Sequence, residues 1–204
     1  MTLGDINHAL RPHGLFVMGH CEMLVLVGTD AGWWDVFVQT REYKDGTKDP
    51  VDRWSKRILN GLAETAGAGA VFPSDGPPYA PFIAWALATG RFWQSPTGMM
   101  VHDTAGLMIS IRGALKFDHG FAPVPAGTNP CETCEGTPCT TACPVDALSD
   151  AHAYDVPACK AYLDTRAGAD CMDGGCRVRR VCPVSQAFGR PAAQSAFHMK
   201  AFVG

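Results

Sequence analysis

The sequence has no long hydrophobic run, no excess of one charge sign and no signal-peptide pattern. No stretch reaches the roughly 18–20 apolar residues that a membrane-spanning helix needs, and the start, MTLGDINHALRPHG, lacks basic-then-apolar order. With 17 basic and 20 acidic residues, the chain lacks the basic surplus of a nucleic-acid-binding protein. A Gly-rich dinucleotide fingerprint is missing too, which argues against direct use of NAD(P)H. We therefore expect a cytoplasmic protein that binds neither membranes nor nucleic acids.

Cysteine is the residue type that stands out, with nine in 204 residues. Eight of them lie between Cys131 and Cys182, and the ninth, Cys21, is far upstream. Because a secretion signal is missing, a metal centre explains this clustering better than a disulfide framework does. We expect Cys21 to be a small, buried side chain and not a metal ligand.

The pattern up to about residue 118 predicts an α+β fold with a central sheet. The best helix signal is 51–66, where Asp49 can cap the start, Pro50 suits the first turn and Gly67 can end the helix. The other predicted helices cover 2–11, 32–40 and 81–89. The predicted strands cover 15–17, 23–27, 70–72, 98–102 and 107–117.

The composition changes at Phe121, where the run FAPVPAGTNP is rich in proline. Such a run is typical of a linker or a rigid arm. It predicts two domains, an α+β domain at 1–120 and a cysteine-rich domain at 121–204.

The cysteines form two motifs, each ending in Cys-Pro. The motifs are Cys131-x2-Cys134-x4-Cys139-x3-Cys143-Pro144 and Cys159 followed by Cys171-x4-Cys176-x5-Cys182-Pro183. In two-cluster bacterial ferredoxins, the Cys-Pro cysteine of each motif binds the cluster of the other motif. This rule assigns two [4Fe–4S] clusters, the first with ligands Cys131, Cys134, Cys139 and Cys182. The second would have ligands Cys143, Cys159, Cys171 and Cys176.

Three other arrangements stay open at this stage: two structural zinc sites, paired disulfides, or one cluster plus another site. Zinc also accepts four thiolates, but it gives no reason for a Cys-Pro step at the end of each motif. The second motif is wider than the compact ferredoxin spacing, which favours these alternatives. Between its last two cysteines lie Arg177, Arg179 and Arg180. We expect at least one of these cations near a cluster, unless they form a solvated basic face.

Three stretches of the first piece resemble the vitamin B12-processing proteins that remove the upper axial ligand of cobalamin. They are Leu24–Gly28 followed by an aromatic helix, Asp49-Pro50-Val51-Asp52, and residues 98–113, GMMVHDTAGLMISIRG. The order of the two pieces, a corrinoid-type domain followed by a two-cluster ferredoxin domain, also resembles epoxyqueuosine reductase and, more distantly, the reductive dehalogenases. The resemblance implies a nitroreductase-like sheet flanked by helices, with cobalamin or a flavin as a further cofactor. It also aligns Asp75 with the acid of an Asp-x-x-Pro motif.

Two polar residues of the first piece are candidates for that cofactor's site. Arg112 interrupts an apolar run, and a guanidinium there needs a partner, since burying it unpaired is costly. The partner is either a carboxylate of the chain or an anionic ligand. Asp75, in a loop rich in glycine and proline, either makes a turn or acts as a proton donor or cofactor contact.

These observations predict an iron–sulfur redox protein that passes electrons to a corrinoid or flavin on the first domain. This would make it a cobalamin-linked oxidoreductase. The alternative is a ferredoxin-type electron carrier with a non-catalytic docking domain. The expected partners are a redox protein or a small-molecule reductant, and a corrinoid ligand. The first piece is shorter than the corrinoid domains that it resembles, so either a complete pocket needs a homodimer or no complete pocket exists.

Overall fold

The computed structural model describes residues 1–204, and the protein has the mixed α+β composition that the sequence predicts. The helices are α1 (Leu3–Leu10), α2 (Trp33–Phe37), α3 (Arg41–Lys44), α4 (Pro50–Ala66), α5 (Phe82–Ala88), α6 (Val156–Leu163), α7 (Ala169–Gly174), α8 (Arg177–Arg180), α9 (Pro183–Phe188) and α10 (Ala192–Val203). The strands are β1 (Leu15–Cys21), β2 (Leu24–Thr29), β3 (Gly69–Val71), β4 (Phe92–Gln94), β5 (Met100–His102) and β6 (Ile111–Lys116). No helix is both long enough and apolar enough to cross a membrane.

The chain forms two compact units, and each is built from two segments. The first unit comprises Met1–Phe92 and Ser110–Gly127, and the second comprises Trp93–Ile109 and Thr128–Gly204. These bounds differ from a single division between residues 120 and 121. Residues 93–109 belong with the cysteine-rich part, and residues 121–127 belong with the first part.

The first unit is built on a four-stranded antiparallel sheet in the order β1-β2-β6-β3. A tight connection joins β1 to β2, since Cys21 pairs with Leu24. Strand β6 is central, because it pairs with β2 on one side and with β3 on the other. The carbonyl of Ser110 accepts from the N–H of Thr29 at 3.1 Å, which continues the pairing with β2 just before β6 begins.

Helix α4 contributes an apolar face to the core of this unit. Its buried apolar residues, Val51, Trp54, Ile58, Leu59 and Ala63, recur at three- and four-residue steps. They therefore lie on one side of the helix. The α2 aromatics pack on them: the Trp33 and Phe37 rings stack with centroids 4.5 Å apart, and Trp33 meets Trp54 edge to face at 5.7 Å.

Two local predictions for this unit need correction. Asp49 precedes α4 as expected, but its backbone is left-handed (φ 54°) and its side chain makes no capping hydrogen bond. Asp tolerates this conformation better than most residues do. The strand predicted over 107–117 begins only at Ile111, because Leu107 belongs to the core of the other unit.

The second unit is made of short helices, a two-stranded sheet (β4 and β5) and loops around a small core. The buried residues of this core are Val101, Leu107, Cys139, Leu148 and Val178. Five further cysteine and aromatic side chains pack against it: Trp93, Cys131, Cys143, Cys176 and Cys182. Five of the eight clustered cysteines therefore belong to this core or pack against it.

Candidate metal centres

Four cysteines surround one cavity of the second unit. Its volume is about 270 Å³, several times the roughly 30 Å³ that one water molecule occupies in the liquid. The four are Cys131, Cys134, Cys139 and Cys182. Cys139 is buried in the 3-10 turn Pro138–Thr140, and Cys182 lies immediately before α9, which begins at Pro183.

The other four clustered cysteines line a second cavity. They are Cys143, Cys159, Cys171 and Cys176. Three of them lie in or beside helices, with Cys159 in α6, Cys171 in α7 and Cys176 just before α8. This cavity has a volume of only about 20 Å³, so a cluster there requires the side chains to move apart.

The two Cys-Pro cysteines lie away from the other cysteines of their own motifs. Cys143 follows Cys139 closely in the sequence but lines the second cavity, whereas Cys182 closes the second motif but lines the first cavity. The structure therefore brings together the two sets of four that the Cys-Pro positions predict. That these sets bind iron stays a prediction.

Four of these thiols, two in each set, are in surroundings that disfavour the thiolate. Burial, followed by the neighbouring cysteines of its own set, raises the pKa of Cys131 to about 11. Burial is also the main cause of the raised pKa values of Cys139, Cys171 and Cys176. A bound metal reverses this preference, because its positive charge deprotonates a coordinating thiol.

Backbone N–H groups point at the sulfur atoms of the second set. The N–H of Ala147 donates to Cys143 Sγ at 3.2 Å. A backbone hydrogen bond from Arg177 lowers the pKa of Cys171 and so opposes the effect of burial. Bonds from Arg179 and Val178 do the same for Cys176. Hydrogen bonds of this kind stabilise thiolate ligands and tune cluster potentials.

Tyr154 is a neighbour of the second set that the sequence did not single out. Burial, followed by a hydrogen bond with Cys159, raises the pKa of its hydroxyl well above the usual range. Tyr154 therefore carries its proton at neutral pH and can donate it toward the Cys159 sulfur. Its position in a polar loop before α6 offered no signal for this role.

The three clustered arginines have different partners. Arg177 lines the second cavity, and its Nε donates to Asp170 Oδ2 at 2.6 Å. Arg180 also pairs with Asp170. Arg179 donates through Nη1 to the carbonyl of Leu107 at 2.6 Å. Arg177 is thus the cation that lines a cysteine cavity, while Arg179 ties α8 to residues 93–109.

Residues 93–109 supply part of the wall of the first cavity. Ser95, Val101 and Leu107 line it beside the cysteines. The N–H of Leu107 donates to Ser185 Oγ at 2.8 Å, which attaches this segment to α9. This contribution could not be predicted from the sequence, because an apolar strand pattern predicts burial without indicating which residues cover the strand.

Asp75 and Arg112, the two candidates of the first unit, are in different environments. Asp75 forms an ion pair with Lys56 at 2.6 Å, and both side chains are close to half exposed. Arg112 lies in β6, and its Nε is inaccessible to solvent and has no hydrogen-bond partner. Burial lowers the pKa of Arg112, and the charge of Asp52 opposes this only in part. A catalytic or binding role for either residue stays a prediction.

A cavity of about 810 Å³ in the first unit lies elsewhere on the sheet. Its lining includes Cys21, Trp85, Lys116 and Phe121 but neither Asp75 nor Arg112. Cys21 is half-buried and donates its S–H to the carbonyl of Trp85 over 3.8 Å. Burial raises the pKa of its thiol.

No group of three or more His, Cys, Asp or Glu side chains is arranged to hold a single metal ion. No protein-family model, curated protein or solved structure matches the chain.

Proposed function

We propose that the chain is an iron–sulfur electron-transfer protein whose second unit holds two [4Fe–4S] clusters. One observation carries the proposal: eight cysteines divide into two sets of four around two cavities, with the Cys-Pro cysteines exchanged between the motifs. The ligands proposed for the first cluster are Cys131, Cys134, Cys139 and Cys182. Those proposed for the second are Cys143, Cys159, Cys171 and Cys176.

The surroundings of both sets fit this kind of ligand. The first cavity has room for more than one ion, and buried apolar side chains such as Val101 and Leu107 form part of its wall. The second set receives several backbone hydrogen bonds, including the one from Ala147 to Cys143. When bound, a [4Fe–4S] cluster supplies one-electron transfer at a potential that depends on hydrogen bonds and solvent exposure.

We propose the finer fold assignments on the same basis. The exchange of Cys-Pro cysteines supports a bacterial two-cluster, ferredoxin-like arrangement for the second unit. The central sheet β1-β2-β6-β3, with helix α4 contributing to its core, supports a nitroreductase-like first unit. The resemblance at residues 98–113 spans both units, since Ile109 and Ser110 belong to different ones.

The proposed electron acceptor is a corrinoid or a flavin held by the first unit, which would make the protein a cobalamin-linked oxidoreductase. The unpartnered Nε of Arg112 supports an anionic group of such a cofactor as its missing partner. Asp75 would then donate a proton. The surface ion pair of Asp75 with Lys56 favours the second candidate function, an electron carrier whose first unit only docks a partner.

The proposed setting is the cytoplasm, with a redox protein or a small-molecule reductant as the electron source and no nucleic-acid or membrane partner. A homodimer is also proposed, and exposed apolar residues around α5 support it. Ile83 is 65% exposed and Leu87 is 46% exposed on this short helix, and Tyr79 just before it is 68% exposed.

Metal analysis of anaerobically purified protein tests the proposal. We expect about eight iron and eight acid-labile sulfide per chain, and an electron paramagnetic resonance signal after reduction with dithionite. Stoichiometric zinc without iron would overturn the proposal. Four iron with one zinc would overturn the assignment of one of the two clusters. Titration of the wild-type protein and of Arg112→Met with cob(II)alamin and with flavin then separates the two candidate functions, because only the first requires binding that depends on Arg112.

A further inference from the structure

A cleft of about 920 Å³ in the second unit has no role in the function proposed above. This volume falls within the range of small-molecule sites, roughly 300–1,000 Å³. Three segments line the cleft, covering residues 94–99, 129–132 and 148–154. It is therefore a feature of the folded unit and not a gap beside one loop.

The cleft adjoins both sets of cysteines. It shares Ser95 and Cys131 with the wall of the first cysteine cavity, and it shares Leu148 with the second. Tyr154 lines the cleft and bonds to Cys159 of the second set. At most one side chain would therefore separate a ligand in the cleft from either set of cysteines.

Three buried hydroxyl groups line this cleft: Ser95, Thr97 and Ser149, each only 5% exposed. The hydroxyls of Ser95 and Thr97 lie 3.2 Å apart, so one of them donates to the other and the second keeps an O–H to spare. Ser149 Oγ accepts from the N–H of Ala151 at 3.2 Å, which leaves its own O–H available. Buried hydroxyls normally use their donors, so these two are suited to a ligand that accepts hydrogen bonds.

The charges around the cleft restrict the ligand further. Two acids line it, Glu132 and Asp150, and no lysine or arginine does. His152 also lines it, with Nε2 3.3 Å from Asp146 Oδ2, so a third carboxylate engages the one basic ring. An anionic ligand would meet repulsion without a compensating cation.

We infer that this cleft binds an uncharged ligand whose carbonyl groups accept hydrogen bonds from the spare hydroxyls. Quinones and the isoalloxazine ring of flavins share this chemistry. Both are redox-active, which suits a site beside two electron-transfer centres. The functional meaning rests on the proposed clusters, whereas binding itself depends only on the residues of the cleft.

Calorimetric titration of the full chain, prepared anaerobically, tests this inference with two matched pairs of probes. Riboflavin is compared with flavin mononucleotide, and 2-(hydroxymethyl)anthraquinone with anthraquinone-2-sulfonate. Within each pair only the second molecule is an anion, and none of them readily alkylates cysteine. We expect the neutral member of at least one pair to bind at least tenfold more tightly than the anion of that pair. The pair that shows this difference identifies whether the cleft binds a flavin or a quinone.

Two variants locate the binding. Ser149→Ala should weaken it about fivefold, the effect of one lost neutral hydrogen bond. Ala153→Trp should abolish it, because Ala153 is exposed on the cleft wall and a large ring there fills the space. Ala193→Trp is the matched control, since Ala193 is exposed in α10 and does not line the cleft.

The inference is overturned if no probe binds, if the anions bind as tightly as the neutral molecules, or if Ala153→Trp binds like the control. Iron content, measured on the same samples, tests the clusters separately. Protein without iron that still shows the expected binding pattern would contradict the proposed function and leave the cleft assignment standing.

Discussion

Cys182 lines the same cavity as Cys131, although nearly the whole second cysteine motif separates them in the sequence. Cys143, which is much nearer to Cys131 in the sequence, lines the other cavity. This exchange predicts how pairs of substitutions combine. Cys134→Ser and Cys182→Ser each remove one ligand of the same cluster. Either single variant should therefore keep about half of the iron, and the double variant should keep the same half.

Cys134→Ser combined with Cys143→Ser should instead lose nearly all of the iron, because the two changes affect different clusters. Independent sites give additive effects and shared sites do not. Iron and sulfide analysis of the single and double variants measures this directly. Cys21→Ser is the control and should retain full iron. The exchange would be contradicted if the pair Cys134 and Cys143 behaved as one site.

Tyr154→Phe is expected to lower the reduction potential of one cluster and to leave the iron content unchanged. A hydrogen bond to a ligand sulfur stabilises the more negative, reduced state. One bond of about 1 kcal/mol corresponds to about 40 mV for a one-electron couple. A redox titration followed by electron paramagnetic resonance measures the shift.

Tyr162→Phe is the matched control for that measurement. Tyr162 also lines the second cavity, but its hydroxyl donates to the carbonyl of Ala167 at 2.8 Å. Its removal should leave both potentials in place. Equal shifts in the two variants would show that the Tyr154 hydroxyl has no specific effect.

Glu42→Gln is expected to destabilise the first unit by about 2 kcal/mol at pH 7, the size of a charge-assisted hydrogen bond. Glu42 is buried and accepts from Arg57 at 2.6 and 2.9 Å. These bonds lower its pKa from 4.5 to about 2. Because the pKa is lower in the folded state, the stabilisation is present above pH 4.5 and disappears as the pH falls toward 2.

Urea unfolding followed by tryptophan fluorescence between pH 7 and pH 3 measures this contribution. The difference between the wild-type protein and Glu42→Gln should shrink as the pH falls. Arg41→Gln is the control, since Arg41 is 77% exposed and its pair with Glu42 contributes little. A difference that does not change with pH would contradict the role of the Glu42 charge.

Arg112→Met is expected to stabilise the ligand-free protein by about 1 kcal/mol. It removes a desolvated Nε without a partner and keeps most of the apolar stem. The same change should weaken cobalamin or flavin binding by about 1–3 kcal/mol if Arg112 contacts an anionic group of the cofactor. Thermal unfolding and anaerobic titration measure the two effects.

Asp75→Asn is the companion variant. It should leave the affinity unchanged, because Lys56 already engages this carboxylate at the surface, and it should slow only a step that needs a proton. An Arg112→Met protein that is less stable and binds cofactor normally would show that Arg112 has a purely structural role.

The long helix α4 and the grouping of the cysteines could be predicted because their signals are local. The apolar positions from Val51 to Ala63 recur at helical steps, and Gly67 ends the helix in a left-handed conformation as expected. Each motif ends in a Cys-Pro step, and that step marks the cysteine that lines the cavity of the other motif. Spacing over a few residues was sufficient for α4, whereas the grouping of the cysteines also needed the rule that a Cys-Pro cysteine joins the set of the other motif.

Asp49, Tyr154 and residues 93–109 could not be predicted in the same way. Asp49 is of a residue type that often caps helices, but its left-handed backbone conformation prevents the usual side-chain capping hydrogen bond. Tyr154 becomes significant only through Cys159, and the hydroxyls of Ser95, Thr97 and Ser149 only through the cleft that they share. Each of these roles depends on which residues lie opposite in space.

The sequence by itself determined the residue types and spacings that a pair of four-cysteine sites requires, together with the apolar stripes of the sheet-and-helix unit. Only the tertiary structure decided that Val101 and Leu107 join Cys139 in one core and that a polar cleft lies beside both cysteine sets. The reason is physical. The spacing of apolar residues predicts which side chains are buried. It does not predict which apolar surface covers them, because any such surface can bury them, and this depends on long-range packing of the chain.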